Sequence, residues 1–167
     1  MSLAVGTKAP DFSLPSKFDG DMQIITLSKY TEICNVVLLF FPMAFTDTCT
    51  EEMCSVSKDY ARYVDLGAVV LGISGDNPFA QAVWAEKEGI SFPLLSDYEH
   101  KITQQYGVAY ESFLPQCNLP MGNVAKRAAF VVDTHRHIQY AECLEDAREL
   151  PDFDAISAKL RELQVPD

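Results

Sequence analysis

The residues with the clearest capacity for chemistry lie in one short run, Phe40-Phe41-Pro42-Met43-Ala44-Phe45-Thr46-Asp47-Thr48-Cys49. An apolar segment ends at Phe41, and Pro42 breaks it and fixes the direction of exit. Thr48 followed by Glu51 has the S/T-x-x-E spacing of a capping box. That spacing predicts Thr48 as the N-cap of a helix and Cys49 in its first turn. The first turn offers unpaired backbone N–H groups and the positive end of the helix dipole. Both favour an anion, and the thiolate is the nucleophilic form of cysteine. Glu51 and Glu52 oppose that effect, so the site needs a cation from elsewhere in the chain. A working nucleophile also needs an accessible sulfur. Pattern alone leaves open that Cys49 is an ordinary small residue at a helix start.

The elements that must position this cysteine alternate between strand and helix types, which argues an α/β domain. Val5 to Leu14 reads as an extended lead-in, and Asp19-Gly20-Asp21 as a turn. Ile24 to Leu27 reads as a short strand, with Ser28 opening a connecting turn. Val36 to Phe41 is apolar throughout, as a strand covered on both faces would be. A helix is expected from Cys49 to Val64, then a buried strand from Ala68 to Ser74. Pro78 suits the first turn of a helix that Gly89 stops. Phe92 to Leu95 reads as a strand and Asp97 to Tyr106 as a short helix.

The stretch from Val108 to Val124 has little periodicity and reads as a long functional loop. Arg127 to Asp133 and His137 to Cys143 form a predicted hairpin around Thr134-His135-Arg136. Phe153, Ile156, Leu160 and Leu163 share one face of a final helix from Pro151. The order suits a single domain spanning residues 1–167 with a mixed central sheet and helices on both faces, as in thioredoxin-like domains. Period and composition alone do not separate that from other α/β sandwiches.

The motifs also carry a family resemblance. Pro42-x-x-x-Thr46-x-x-Cys49 resembles the P-x-x-x-T-x-x-C motif of peroxiredoxins of the AhpC/TSA type. Gly6 to Leu14 resembles that family's N-terminal segment, and Glu52 matches a recurrent glutamate. Trp84, Phe92-Pro93-Leu94-Leu95-Ser96-Asp97 and Tyr106-Gly107-Val108 resemble its middle. Lys126 to Asp133 resembles the strand that supplies its active-site arginine, here Arg127.

The resemblance implies a thiol peroxidase acting in antioxidant defence. Cys49 would attack hydrogen peroxide or an organic hydroperoxide and become a sulfenic acid. Thr46 and the Cys49 backbone N–H would hold the peroxide, and Arg127 would stabilise the thiolate and the transition state. Pro42 would shield the sulfur, and Glu52 would orient Arg127 or Thr46. No metal or organic cofactor is implied. The segment Phe41 to Thr46 and the stretch Asn123 to Asp133 are most similar to the one-cysteine alkyl hydroperoxide reductase E type. Cys54 departs from that pattern and sits where the bacterioferritin-comigratory type places its resolving cysteine. A disulfide at that spacing requires the first turns of the helix to unwind, because neighbours on a helix lie three or four apart. The expected reductant is a thioredoxin-like protein or a small thiol. Met43 and Phe45 suggest a homodimer contact.

Other functions fit less well. A thioredoxin-like disulfide oxidoreductase wants C-x-x-C, and position 52 holds glutamate. A metal site from Cys49, Cys54, His135 and His137 would need ligands that converge poorly at that spacing. A non-catalytic thioredoxin-fold binding protein has no need of Thr46, Cys49 and Arg127 together. Five cysteines, Cys34, Cys49, Cys54, Cys117 and Cys143, do not read as a secreted disulfide scaffold. Cys34 reads as structural, while Cys117 and Cys143 are lesser candidates to resolve. With 13 basic against 24 acidic residues, the net charge of -11 disfavours nucleic acid and anionic membrane surfaces as partners. No apolar run approaches the roughly 20 residues of a membrane span. The N-terminus lacks a basic stretch and apolar core, so a cytoplasmic location is expected.

Overall fold

A computed structural model describes residues 1–164. Five strands form the central sheet: β3 (Asn35–Phe40), β4 (Ala68–Ser74), β5 (Leu94–Ser96), β6 (Arg127–Val132) and β7 (Ile138–Leu144). Their order is β5-β4-β3-β6-β7. β4 lies parallel to β3 and to β5, whereas β6 runs antiparallel to both β3 and β7. A separate hairpin joins β1 (Ser13–Ser16) to β2 (Gln23–Thr26). The mixed sheet and thioredoxin-like order expected from the sequence are both present.

Alternation along the strands divides the core in two, because successive side chains point to opposite faces. Val37, Leu39 and Phe41 join Ala129 and Val131 on one face. There they meet α2 (Asp47–Lys58) through Met53 and Val56, α4 (Pro78–Glu88) through Trp84, and α6 (Phe153–Leu163) through Ile156 and Leu160. Val36, Leu38 and Phe40 point the other way, with Phe130 and Val132. That face is covered by Phe12 and Leu14, by Leu27 of α1 (Leu27–Thr31), and by Ile102 of α5 (Lys101–Gln105). Tyr106 completes it, with its ring centroid 5.3 Å from Phe40 and 5.4 Å from Phe130.

This topology decides where chemistry occurs. In the antiparallel pair Phe40 stands opposite Ala128, so the end of β3 meets the start of β6. α2 leaves from that same edge. Arg127 shares the face of Ala129 and Val131, which is the face α2 covers. The parallel neighbour β4 also ends there, which brings the Gly75-Asp76 turn alongside.

Several local expectations need correction. The helix after the cysteine loop begins at Asp47 with Thr46 as N-cap, not at Thr48. No side chain caps it, so the Thr48–Glu51 box does not form. Thr48 is already inside the first turn, where its backbone cannot take the extended N-cap geometry. The single helix expected to run to Val64 is broken at Asp59 (φ -100°, ψ 12°), and α3 (Tyr60–Asp65) follows. Leu27 opens a helical turn rather than closing a strand. Asp97 lies before α5, not in it, and its carboxylate accepts from the Ile102 and Thr103 amides. α6 starts at Phe153, with Asp152 accepting from the Ala155 amide. The long loop from 108 to 124 and the hairpin after Arg127 are as expected.

Candidate active site

The loop between β3 and α2 is shaped before it reaches the cysteine. Phe45 holds a left-handed backbone (φ 68°), a conformation that costs a residue with a bulky side chain. Asp76 tethers the residue before it. The Ala44 amide donates to Asp76 Oδ2 at 2.8 Å, and Ser74 Oγ donates to the same oxygen at 2.7 Å. The Phe45 ring lies 6.4 Å from that of Trp84. Thr46 Oγ1 then turns back to donate to the Met43 carbonyl at 2.7 Å. The first helical bond of α2 runs from the Thr50 amide to the Thr46 carbonyl, so the amides of Asp47, Thr48 and Cys49 precede it.

Cys49 faces the sheet. Its sulfur lies 3.2 Å from Nη2 of Arg127, the cation that the acidic first turn lacked. Nη1 of the same guanidinium donates to Glu52 Oε1 at 2.6 Å. The third edge is taken by one main-chain oxygen: Nε and Nη2 both donate to the Ala147 carbonyl, at 3.2 and 2.8 Å. Residues three apart are neighbours on a helix, so Cys49 and Glu52 lie on one side of α2, and one arginine spans both. Glu52 therefore contacts Arg127, the first of the two roles considered for it. Burial pushes its carboxyl up to about 7, even though the Arg127 charge pulls the other way. Its second oxygen, Oε2, has no partner among the described residues.

One expectation is overturned. The sulfur is not open to solvent: Cys49 is 1% exposed, Arg127 1% and Glu52 0%. The charged group beside the sulfur keeps its surroundings polar despite this burial. Pro42 is buried at the same edge.

Cys54 does not join this group. Its thiol faces the other way, 3.6 Å from the Glu88 carbonyl at the end of α4, and burial raises its pKa. Cys34 is half-buried and bonds to the Tyr30 carbonyl, in keeping with a structural place. Cys117 is exposed in the long loop, and Cys143 is half-buried on β7. His135 and His137 stand at the far end of the β6–β7 hairpin, with amides donating to Asp133. They do not approach Cys49 or Cys54, and no three His, Cys, Asp or Glu side chains converge among the described residues.

Two contributors escaped the sequence. Asp76 follows a parallel strand at its C-terminal end, where α/β folds gather functional loops, and that placement was a usable signal. Ala147 acts through its carbonyl, which leaves no trace in side-chain pattern.

A first-turn cysteine on a thioredoxin-like sheet, held against a buried arginine, defines a thiol-chemistry protein. The AhpC/TSA family model matches residues 5–141, and the chain belongs to that family, the peroxiredoxins, which are thiol peroxidases. It is 36% identical over 142 residues to alkyl hydroperoxide reductase E of Mycobacterium tuberculosis, covering 84% of this chain and 85% of that protein. It is 34% identical over 148 residues to the chloroplastic 2-cysteine peroxiredoxin of Chattonella marina var. antiqua, covering 84% and 71%. The crystal structure of peroxidoxin BcpB from Mycobacterium tuberculosis superposes with a TM-score of 0.81 at 31% identity, over 99% of both chains. No helix among the described residues is long and apolar enough to cross a membrane.

Proposed function

We propose that residues 1–167 act as one peroxidase domain in which Cys49 is the nucleophile toward hydrogen peroxide and organic hydroperoxides. The thiolate attacks the terminal peroxide oxygen, the O–O bond breaks, and a sulfenic acid and an alkoxide or hydroxide result. The alkoxide leaves as alcohol, or the hydroxide as water, after taking a proton. Sulfur is oxidised by two electrons and the peroxide is reduced by two. The single observation that carries this reading is the 3.2 Å contact between Arg127 Nη2 and the Cys49 sulfur. A guanidinium there stabilises negative charge on the sulfur and can follow it toward the breaking bond.

Thr46 fits the role of peroxide acceptor. Its proton is committed to the Met43 carbonyl, which leaves oxygen lone pairs free to receive a hydroperoxide O–H. The Cys49 amide, ahead of the first helical bond, is a donor for the same substrate. Pro42 limits water at the sulfur, and Glu52 fixes the guanidinium. Because the sulfur is buried, substrate entry requires the loop of residues 42–46 to open locally.

For regeneration, the Cys54 sulfur attacks the Cys49 sulfenic acid, the S–O bond breaks and water leaves, and the intramolecular disulfide that results is reduced by a thioredoxin-like protein or small thiol. The protein works as a homodimer in the cytoplasm. Met43 and the 52% exposed Phe45 supply the apolar surface for the pairing. The test is mass spectrometry under non-reducing conditions after one equivalent of peroxide. A Cys49–Cys54 bond is expected in the wild type, with a trapped sulfenic acid on Cys49 in C54S. Undiminished peroxide consumption by C49S would end the peroxidase reading. A Cys49 sulfenic acid with no Cys54 bond would replace the internal step by an external thiol.

A further inference from the structure

We infer that Tyr110 is a positioning residue for Arg127, acting through the main chain of the turn at residues 145–148. The inference rests on the peroxidase reading above and adds a component to it.

The guanidinium is planar, with its five N–H donors in a fixed fork. Glu52 holds one edge through Nη1, and the Ala147 carbonyl receives both Nε and Nη2 on another. Two edges so fixed define the plane and leave Nη2 aimed at the Cys49 sulfur. Glu52 is set by its place in α2. Ala147 has no such support, because it lies beyond the end of β7 and before α6.

Packing does not hold that turn. A cavity of about 490 Å³ opens on it, lined by Tyr110, Phe113, Glu145, Ala147 and Arg148 among others. The attachments are polar instead. The Tyr110 hydroxyl donates to the Glu145 carbonyl at 2.7 Å, two residues before the Ala147 carbonyl. Lys126 Nζ reaches Glu145 Oε1 at 2.5 Å and lies 5.8 Å from the centre of the Tyr110 ring. The other local bonds among the described residues, from the Arg148 amide and side chain and from the Glu149 amide to Asp146, shape the turn without tying it to the domain.

Tyr110 is itself anchored. Its amide donates to the Val124 carbonyl and its carbonyl receives the Asn123 amide, at 2.8 and 2.9 Å. Its ring stacks on Phe113 with centroids 5.0 Å apart. Burial pushes its phenol up to about 12, so the hydroxyl stays a donor across the working pH range. The path is thus continuous: the base of the long loop, Tyr110, Glu145, Ala147, Arg127, Cys49. It assigns a task to a loop that the sequence marked as functional without saying why.

The experiment measures the rate of Cys49 oxidation by hydrogen peroxide in wild type, Y110F, R127Q and the double variant. Phenylalanine keeps the ring and its stacking and deletes only the donor. Losing one such bond lowers the rate roughly fivefold to tenfold. In the R127Q background the same substitution changes the rate less than twofold, because the group through which it acts is gone. A residue with a merely structural role would impose equal losses in both backgrounds, and that result overturns the inference, as does a Y110F rate equal to wild type. If Y110F fails to fold, K126M loosens the same turn from its exposed side and is run through the same cycle. Wild-type protein that leaves peroxide untouched, or R127Q as fast as wild type, would fault the peroxidase reading instead.

Discussion

The indole N–H of Trp84 donates to the hydroxyl of Thr50, 3.1 Å away, and Thr50 is the residue after Cys49. Trp84 is the only tryptophan in the chain, fully buried, with its ring 5.3 Å from Phe41. A signal from this indole is therefore a signal from the first turn of α2. The proposed Cys49–Cys54 bond cannot form while that turn is intact. Five residues rise about 7.5 Å along a helix, and a disulfide tolerates a Cα separation of no more than roughly 7 Å. Cys54 is also turned toward Glu88 and away from Arg127.

Trp84 emission should accordingly shift to longer wavelength when wild-type protein receives one equivalent of peroxide, as the indole loses Thr50 and gains water. C54S should reach the sulfenic acid without that red shift, since nothing pulls the helix open. Stopped-flow fluorescence distinguishes the two. Unchanged emission in wild-type protein that consumes peroxide would mean that α2 stays closed throughout.

Glu52 gives a prediction about stability and pH. Its carboxyl is pushed up to about 7 in the folded protein, from an ordinary value near 4.5. Between those limits the folded state holds a proton that the unfolded state has released. Stability from this group is complete below about 4.5 and is lost as pH rises through 7, by up to roughly 1 kcal/mol per pH unit. Gln in its place keeps an acceptor for Arg127 and cannot titrate. Urea unfolding at pH 5 and pH 7.5 should show wild type losing its advantage over E52Q as pH rises. A difference that is flat or grows with pH would mean that the Arg127 charge outweighs burial at this carboxyl.

The sequence made the strong elements legible for a simple reason. β3, β4 and β6 are nearly continuous apolar runs, which few structures other than covered strands accommodate. Pro78, Asn77 and Gly89 bracket α4 with start and stop chemistry that the structure uses: Asn77 caps the Ala80 amide and Gly89 takes a left-handed backbone. Elements set by their surroundings were harder to see. α1 is five residues long, too short for a period to declare itself. The start of α2 followed the left-handed Phe45 and the Asp76 anchor rather than the Thr48–Glu51 spacing. Cys49, Glu52 and Arg127 could be named from the family motif. Their junction depends on β6 pairing antiparallel with β3, a contact across 75 residues between Glu52 and Arg127 that no local pattern encodes. Burial of the sulfur was invisible for the same reason, since it depends on what the sheet and Arg127 place above it.

The Asp76 carboxylate offers the most direct control over the shape of the nucleophile loop. One oxygen, Oδ2, receives both the Ala44 amide and the Ser74 hydroxyl, and the Asp76 carbonyl receives Ser96 Oγ at 2.5 Å. The carboxylate therefore joins the end of β4 to the loop that carries Thr46. Removing it leaves the Ala44 amide unpaired and releases the strained Phe45 backbone. D76A should lower stability by about 1–3 kcal/mol, the cost of an orphaned buried donor. It should slow Cys49 oxidation about tenfold, because Thr46 and the first amides of α2 lose their fixed relation to Arg127. D76N, which keeps an acceptor oxygen, should recover most of both. Hydrogen exchange localises the effect: protection at residues 43–46 should fall in D76A while that of β3 and β6 is retained. Equal oxidation rates in D76A and wild type, despite faster exchange in the loop, would show that the loop's shape is not what sets the reactivity of Cys49.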